Sequence, residues 1–152
     1  MNDLIIRNQI LSELKITNAT ATIGNGNQFN FLDEPLLRGA KVYGIICHVS
    51  GVDYTTSTMG NDIITAAQAR LALLTITTPD GDQPVYRLPL YDLIRPVNGG
   101  LVMQFSDIHI EITKCYIQLT AGTDYAQNDT FAISWIYKKY LGVRNGVPTW
   151  EA

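Results

Sequence analysis

Residues 71–90 constrain the fold more than any other part of the chain. They read LALLTITT, then PDGDQP, then VYRLPL, so two apolar runs rich in β-branched residues flank a turn rich in proline, glycine and aspartate. This order is typical of an antiparallel β-hairpin. The rest of the 152-residue chain repeats short apolar runs separated by turn residues, and no catalytic motif interrupts them. The sequence therefore indicates an architecture more sharply than a chemistry.

Strand patterns occur throughout the chain. They flank the turn residues Asn25 and Gly26 and recur at 41–49, 101–105, 106–119 and 131–137. About eight short strands with long loops predict an all-β fold, an antiparallel β-sandwich of the jelly-roll type. Because Trp135 follows both cysteines, an immunoglobulin-type domain is disfavoured. We expect one domain over residues 1–152, with an N-terminal arm at 1–13, a sandwich core at 14–137 and a C-terminal tail at 138–152.

Side-chain alternation adds detail to three of these segments. In KVYGIICHV, at 41–49, both faces are largely apolar, so this strand is either central and covered on both sides or faces another chain. In 106–119 the apolar residues change from even-numbered to odd-numbered positions near Thr113, which indicates a bulge or a break between two strands. In 85–90 we expect Tyr86, Leu88 and Leu90 to share one face, and Pro89 indicates an edge strand or a strand end.

Two further segments have simple interpretations. FAISWIY, at 131–137, is the clearest strand, and we expect one of its faces, with Trp135, to lie in the core. TAAQAR, at 65–70, is predicted to form one or two helical turns.

Charge and hydropathy disfavour several classes of protein. Charged residues make up 16% of the chain, against about 25% in an average soluble domain. The net charge of −3 offers no basic surface for nucleic acid. No apolar run is long enough for a membrane span, and the first residues lack the pattern of a signal peptide. We therefore expect neither a nucleic-acid nor a membrane partner, and synthesis and assembly in a cytoplasm.

The nucleophile candidates in the sequence are weak. Cys47 and Cys115 are predicted to be two buried thiols, with a bridge between them as the alternative if their strands are neighbours. The neighbouring pair Cys47 and His48 suggests a thiolate–imidazole dyad, but adjacent strand residues point to opposite faces. The G-x-S-x-G motif of a serine nucleophile is absent from the sequence. We expect no catalytic residues and no enzymatic activity.

The metal candidates are also weak. Asp107, His109 and Glu111 alternate along a strand and could offer metal ligands, but a solvated outer face is strongly favoured over a metal site. Asp80 and Asp82 flank Gly81 in the predicted turn, where these residue types are favoured for backbone reasons alone. We expect no metal and no cofactor.

Asn18 and Asn128 begin glycosylation patterns that we attribute to chance, since no secretory signal precedes them.

The order of several short motifs resembles a known group of proteins. The motifs are LLRG at 36–39, KVYGII at 41–46, LALLTI at 71–76, DG at 80–81, LPL at 88–90 followed by Leu93, and KCYI at 114–117. In this order they resemble small jelly-roll virion proteins of tailed bacteriophages, particularly the crAss-like phages of gut Bacteroidetes. The resemblance implies a non-enzymatic structural role as a capsid auxiliary, decoration, head-fibre or tail component.

A protein of this kind would work as a homo-oligomer and contact other virion proteins, so its location would be the virion. We predict that the subunit interface lies in the two arms, where Trp150 would anchor into a neighbouring subunit. The predicted interface residues are Leu4, Ile5, Ile10, Tyr140, Val143 and Trp150. The first alternative is a carbohydrate-binding module on a jelly-roll scaffold, which needs exposed coplanar aromatic rings. A cupin-like metal enzyme is disfavoured, since the chain has two histidines.

Overall fold

The structure is a computed structural model that describes residues 15–24, 26–50, 63–94, 103–120 and 129–151. These residues form ten strands, most of them short. The strands are β1 (Ile16–Thr22), β2 (Gln28–Asn30), β3 (Lys41–His48), β4 (Ala72–Ile76), β5 (Val85–Pro89), β6 (Met103–His109), β7 (Tyr116–Leu119), β8 (Thr130–Lys138), β9 (Tyr140–Arg144) and β10 (Val147–Trp150). One helical turn spans Ala66–Ala69, and 3₁₀ turns span Pro35–Leu37, Leu90–Leu93 and Ile112–Lys114.

Eight of the strands form two antiparallel four-stranded sheets. Sheet A has the order β1-β8-β3-β6 and sheet B the order β2-β7-β4-β5, while β9 and β10 pair as a separate hairpin. The paired strands are β1 with β8, β2 with β7, β3 with β6 and β4 with β5, so each pair encloses the next along the chain. Nested pairing divided between two sheets is the topology of a jelly roll. The predicted fold class is confirmed.

The core lies between the two sheets. The fully buried ring of Trp135 meets the edge of Phe31, with ring centroids 5.2 Å apart. The alternate β8 residues Phe131, Ile133 and Tyr137 lie in the same apolar cluster, as the alternation of FAISWIY predicts. The helical turn predicted at 65–70 is also present, at Ala66–Ala69, and begins with a capping box between Thr65 and Gln68.

The hairpin predicted at 71–90 is β4 and β5. Gly81 has a φ of +91°, and the turn closes through bonds from Thr78 N–H to the Asp82 carbonyl and from Gly81 N–H to the Thr78 carbonyl. β5 is an edge strand that ends at Pro89, as predicted.

The predicted common face of Tyr86, Leu88 and Leu90 is wrong. The β4–β5 register shifts between Leu74 and Ile76, because Arg87 adopts a left-handed φ of 58°. This bulge leaves Tyr86 exposed while Leu88 packs against the core.

The change from even to odd apolar positions near Thr113 corresponds to a break between two strands. β6 ends at His109 in sheet A, the turn Ile112–Lys114 follows, and β7 begins at Tyr116 in sheet B. The change of side therefore coincides with the passage of the chain from one sheet to the other. The boundary predicted between 101–105 and 106–119 is wrong, since β6 runs continuously through it.

The C-terminal region is more regular than the predicted tail. Lys138 still belongs to β8, and after one residue the chain turns into the β9–β10 hairpin. Asn145 and Gly146 form its turn, both with positive φ, which is the geometry that an Asn-Gly pair favours. The N-terminal arm predicted at 1–13 lies outside the described residues.

Candidate functional site

The two cysteines are free, buried thiols, as predicted. Burial raises the pKa of both Cys47 and Cys115 to about 12. Cys115 donates from its sulfur to the Glu111 carbonyl at 3.4 Å and accepts from Thr77 N–H at 3.4 Å. Neither thiol has the electropositive, accessible surroundings that make a cysteine reactive.

His48 lies on the opposite face of β3 from Cys47, as expected for adjacent strand residues. Its Nε2 is 2.6 Å from Ser134 Oγ, and Ser134 donates to Asn18 Oδ1, also at 2.6 Å. The single hydroxyl proton of Ser134 points to Asn18, so His48 donates its Nε2 proton to Ser134. A histidine that donates to a serine is not placed to remove its proton, which is the opposite of a catalytic dyad.

This polar chain links β3, β8 and β1 across sheet A. The sequence did not lead us to pair these residues, although a signal was present. Ser134 is the polar residue on the non-core face of FAISWIY, and His48 lies on the non-core face of β3. Because His48 and Ser134 are buried, their bonds stabilise one specific register between the strands.

The candidate metal ligands do not converge. Asp107 accepts a bond of 2.9 Å from Lys138, which raises the pKa of that lysine above its ordinary value. His109 packs against Trp150, and Glu111 accepts from Thr113 at 3.2 Å. Within the described ranges, no group of three or more histidine, cysteine, aspartate or glutamate side chains could hold a metal.

The second metal candidate is a hairpin turn. Asp80 and Asp82 are exposed, and Asp82 N–H donates to Thr78 Oγ1 at 3.1 Å. These bonds are those of a turn that closes β4 onto β5.

The C-terminal hairpin is anchored to the sandwich through Trp150. Its indole Nε1 donates to the Gly39 carbonyl at 2.6 Å, and the Lys41 ammonium lies 4.0 Å from the centre of the ring. The His109 and Tyr140 rings contact the same indole, with centroids 5.2 and 5.6 Å away. One side of the hairpin is therefore fixed against the β3–β6 side of sheet A.

Beyond Trp150, an ion pair and a backbone bond also hold the chain. Lys15 and Glu151 pair at 2.5 Å, and Glu151 N–H donates to the Lys139 carbonyl at 3.0 Å. The hairpin is thus anchored at its end as well as through its indole.

The hairpin also carries exposed apolar side chains between Trp150 and its turn. The β9–β10 register shifts between Thr149 and Trp150, so simple alternation does not run through Leu141. Val143 pairs with Pro148, which lies two residues before Trp150 in β10 and therefore on the same side of the hairpin. Leu141 is 47% exposed and Val143 60%. Val147, beside the turn, is exposed as well. We call Leu141, Val143 and Pro148 the hairpin face.

The predicted interface residues separate into three groups. Val143 is exposed on the hairpin face, whereas Tyr140 and Trp150 contact residues of their own chain. The residues Leu4, Ile5 and Ile10 lie outside the described part of the chain.

The aromatic side chains do not form a flat platform among the described residues. Trp135 is in the core, Trp150 is packed against its neighbours, and Tyr86 is the exposed aromatic residue. The aromatic rings of the described residues therefore do not supply the coplanar surface that a carbohydrate-binding module needs.

Among the described residues, no helix is long and apolar enough to cross a membrane. No protein-family model, no characterised protein and no solved structure matches the chain.

Proposed function

We propose that the chain is a structural protein of a phage particle that self-associates through the β9–β10 hairpin. The observation that carries the proposal is an anchored hairpin with exposed apolar residues. Trp150 holds the hairpin against the sandwich, while Leu141 and Val143 are exposed to solvent.

Physical chemistry supports this role for the hairpin. A two-stranded hairpin has marginal stability by itself, so the contacts of Trp150 and Glu151 determine whether its exposed apolar residues have a defined arrangement. A rigid apolar surface gains most from contact with a second apolar surface, because few side chains have to be ordered on binding. Among the described strands, β9 and β10 pair only with each other, so backbone hydrogen bonding at a hairpin edge can extend a contact.

The particle itself is inferred from the fold together with the motif order. Jelly rolls are common among capsid proteins, and the motifs described above resemble those of phage virion proteins. A low content of charged residues, 16%, is compatible with a surface that is partly covered by partners. On this proposal the partners are further copies of the chain and other virion proteins.

Self-association is tested by measuring molar mass with light scattering during size-exclusion chromatography. The test variant carries Leu141→Asp and Val143→Asp, which place two charges on the hairpin face. The control carries Leu32→Asp and Leu36→Asp, which change two exposed leucines elsewhere. We expect an oligomer for the wild type and the control and a monomer for the test variant. A monomeric wild type, or equal dissociation of both variants, contradicts the proposal.

The location in a particle needs a separate experiment. Phage particles purified by density-gradient centrifugation from a lysate that expresses the chain are analysed by mass spectrometry. We expect the chain to remain with the particles, at a ratio to the major capsid protein that is constant across the gradient peak. A chain found only in the soluble fraction contradicts a virion role, whatever its oligomeric state.

A further inference from the structure

The edge strand β1 differs from the other edges of the two sheets. Among the described strands, the edges are β1 and β6 in sheet A and β2 and β5 in sheet B. β2 has three residues, and the β3–β6 register shifts between Val42 and Gly44. β5 contains the left-handed Arg87 and ends at Pro89. Short, bulged or proline-containing strands resist pairing with a further strand, so these three edges are protected.

β1 has none of these protective features. Its seven residues, ITNATAT, pair with β8 without a register shift. None of them is charged, and none is proline or glycine. A long, regular and uncharged edge strand is a template on which another strand can pair.

The direction of the backbone groups shows which residues of β1 form the open edge. The Lys15 carbonyl accepts from Tyr137 N–H, so odd-numbered residues of β1 turn their backbone groups toward β8. Because this direction alternates along a strand, the N–H and C=O groups of Ile16 and Asn18 point outward. No described residue bonds these outward groups.

Leu32 limits the length of the open edge. Its N–H donates to the outward carbonyl of Thr20 at 3.1 Å, so the chain after β2 lies beside that residue. The part of β1 that a further strand can reach therefore runs from Ile16 to Ala19, with Thr17 and Asn18 at its centre.

We propose that the β1 edge pairs with the β1 edge of a second copy, antiparallel and with a two-fold axis at Thr17. In this arrangement Ile16 of each copy lies opposite Asn18 of the other. Because both positions turn their backbone groups outward, the two residue pairs exchange about four hydrogen bonds. The contact uses the same surface on both copies, which is the symmetry of a C2 interface.

The side chains of β1 suit a second copy as the occupant. A strand that pairs with itself opposes like charges wherever it is charged, and β1 has no charged residue. The Ile16 side chain is 39% exposed, and in this register the two Ile16 side chains are diagonal neighbours across the pair. Self-pairing therefore brings two exposed apolar groups together without a cost in charge.

The contact is weak by itself. About four backbone hydrogen bonds do not outweigh the freedom that two copies lose when they associate in dilute solution. Pairing becomes favourable where neighbouring copies are held at high local concentration, as they are within an assembly. It would then extend sheet A of one copy into sheet A of the next. The proposal goes beyond the proposed function and does not depend on the hairpin contact.

Disulfide trapping in the full chain tests this arrangement. Thr17→Cys places a thiol on the two-fold axis, where opposed Cα atoms are about 4.5 Å apart, within reach of a disulfide. Thr22→Cys is the matched control, because its two copies would lie about 33 Å apart along the strands. Both are made in the chain with Leu141→Asp and Val143→Asp, so that contacts through the hairpin do not contribute. That chain without a new cysteine gives the background of the two buried thiols, and circular dichroism verifies folding.

At high protein concentration under a mild oxidant, we expect Thr17→Cys to form disulfide-linked dimers about tenfold faster than Thr22→Cys. Simple collision would favour the second thiol, since Thr22 is more exposed than Thr17. Adding Ile16→Pro, which removes an outward N–H from the edge, should abolish most of the difference. Equal rates for the two thiols, or a difference that Ile16→Pro leaves unchanged, overturn the self-pairing of β1.

Discussion

Trp150 and Gly39 are joined by a hydrogen bond of 2.6 Å between the indole Nε1 and the carbonyl oxygen, although 111 residues separate them. Gly39 has a φ of +71°, and a Cβ at this position would lie 3.2 Å from the Tyr140 ring. The conformation of Gly39 therefore allows both the bond and the close approach of β9.

Trp150→Phe is expected to lower the free energy of unfolding by about 1–2 kcal/mol, because the Gly39 carbonyl loses its donor. The aromatic contact with Lys41 is kept, so the loss reports mainly on the bond. Urea unfolding measures the change, and hydrogen exchange should accelerate at the Glu151 amide, which donates to Lys139. Tyr86→Phe, at an exposed ring, is the control. An unchanged Glu151 exchange rate would contradict the anchoring role of the indole.

Ser134→Ala is expected to lower the free energy of unfolding by about 1–3 kcal/mol, because the buried partners of the hydroxyl lose their hydrogen bonds. His48 loses an acceptor and Asn18 loses a donor. Thr77→Val is the matched comparison, since no described residue bonds the buried Thr77 Oγ1. This second substitution should be neutral or stabilising. Equal effects of the two substitutions in thermal unfolding would contradict the importance of the polar chain.

Gly44→Ala is expected to destabilise the protein by about 1–2 kcal/mol, because the new methyl group would overpack against the buried Ile136 side chain. Ile136 Cδ1 would lie 2.9 Å away and the Met103 carbonyl oxygen 3.3 Å away. Adding Ile136→Val removes the closer atom, so the cost of Gly44→Ala should be smaller in that background. Gly24→Ala, with open space around it, is the control. A double-mutant cycle without coupling would show that Ile136 is not the obstacle.

Both cysteines should make stability depend on alkaline pH. Below pH 9 the thiols are neutral in both the folded and the unfolded chain, so their contribution to the free energy of unfolding is fully present. Above the ordinary pKa of 9.0 the unfolded thiols ionise, whereas the folded ones keep their protons up to about pH 12. The free energy of unfolding should therefore fall between these values, by about 1.4 kcal/mol per pH unit for each thiol.

The alkaline effect is measured as the difference in slope between wild type and a Cys47→Ala, Cys115→Ala variant. The variant removes both thiols but keeps every tyrosine and lysine, so other alkaline titrations cancel. Parallel slopes for the two proteins would show that the thiols are not protected by burial.

The sequence predicted features that arise from local alternation. Alternation along a strand predicted two features: the change of apolar positions near Thr113 and the core face of β8. The structure confirms both. The bulge at Arg87 was missed, because VYRLPL alternates without a residue that signals a left-handed φ. Alternation also places Ser134 and His48 on the non-core faces, but it does not show that they meet.

The regular structure of the C-terminal region was missed for a different reason. Asn145 and Gly146 mark a turn, but a turn alone does not distinguish a hairpin from a loose tail. The indole of Trp150 makes the difference, and its partner Gly39 is remote in sequence. Contacts of this kind depend on tertiary structure, which a pattern of neighbouring residues does not contain.

The nested order of strand pairs has a consequence for how the chain folds. Ile16 and Ile136 pair across 120 residues, a separation that makes direct closure slow. The β4–β5 pair is local, and once it forms, the next pair outward, β3 with β6, closes a much smaller separation than that between Ile16 and Ile136. We therefore expect folding to proceed from this hairpin toward the chain ends. Pulsed hydrogen-exchange labelling during refolding should protect β4 before β1, and simultaneous protection would rule out this order.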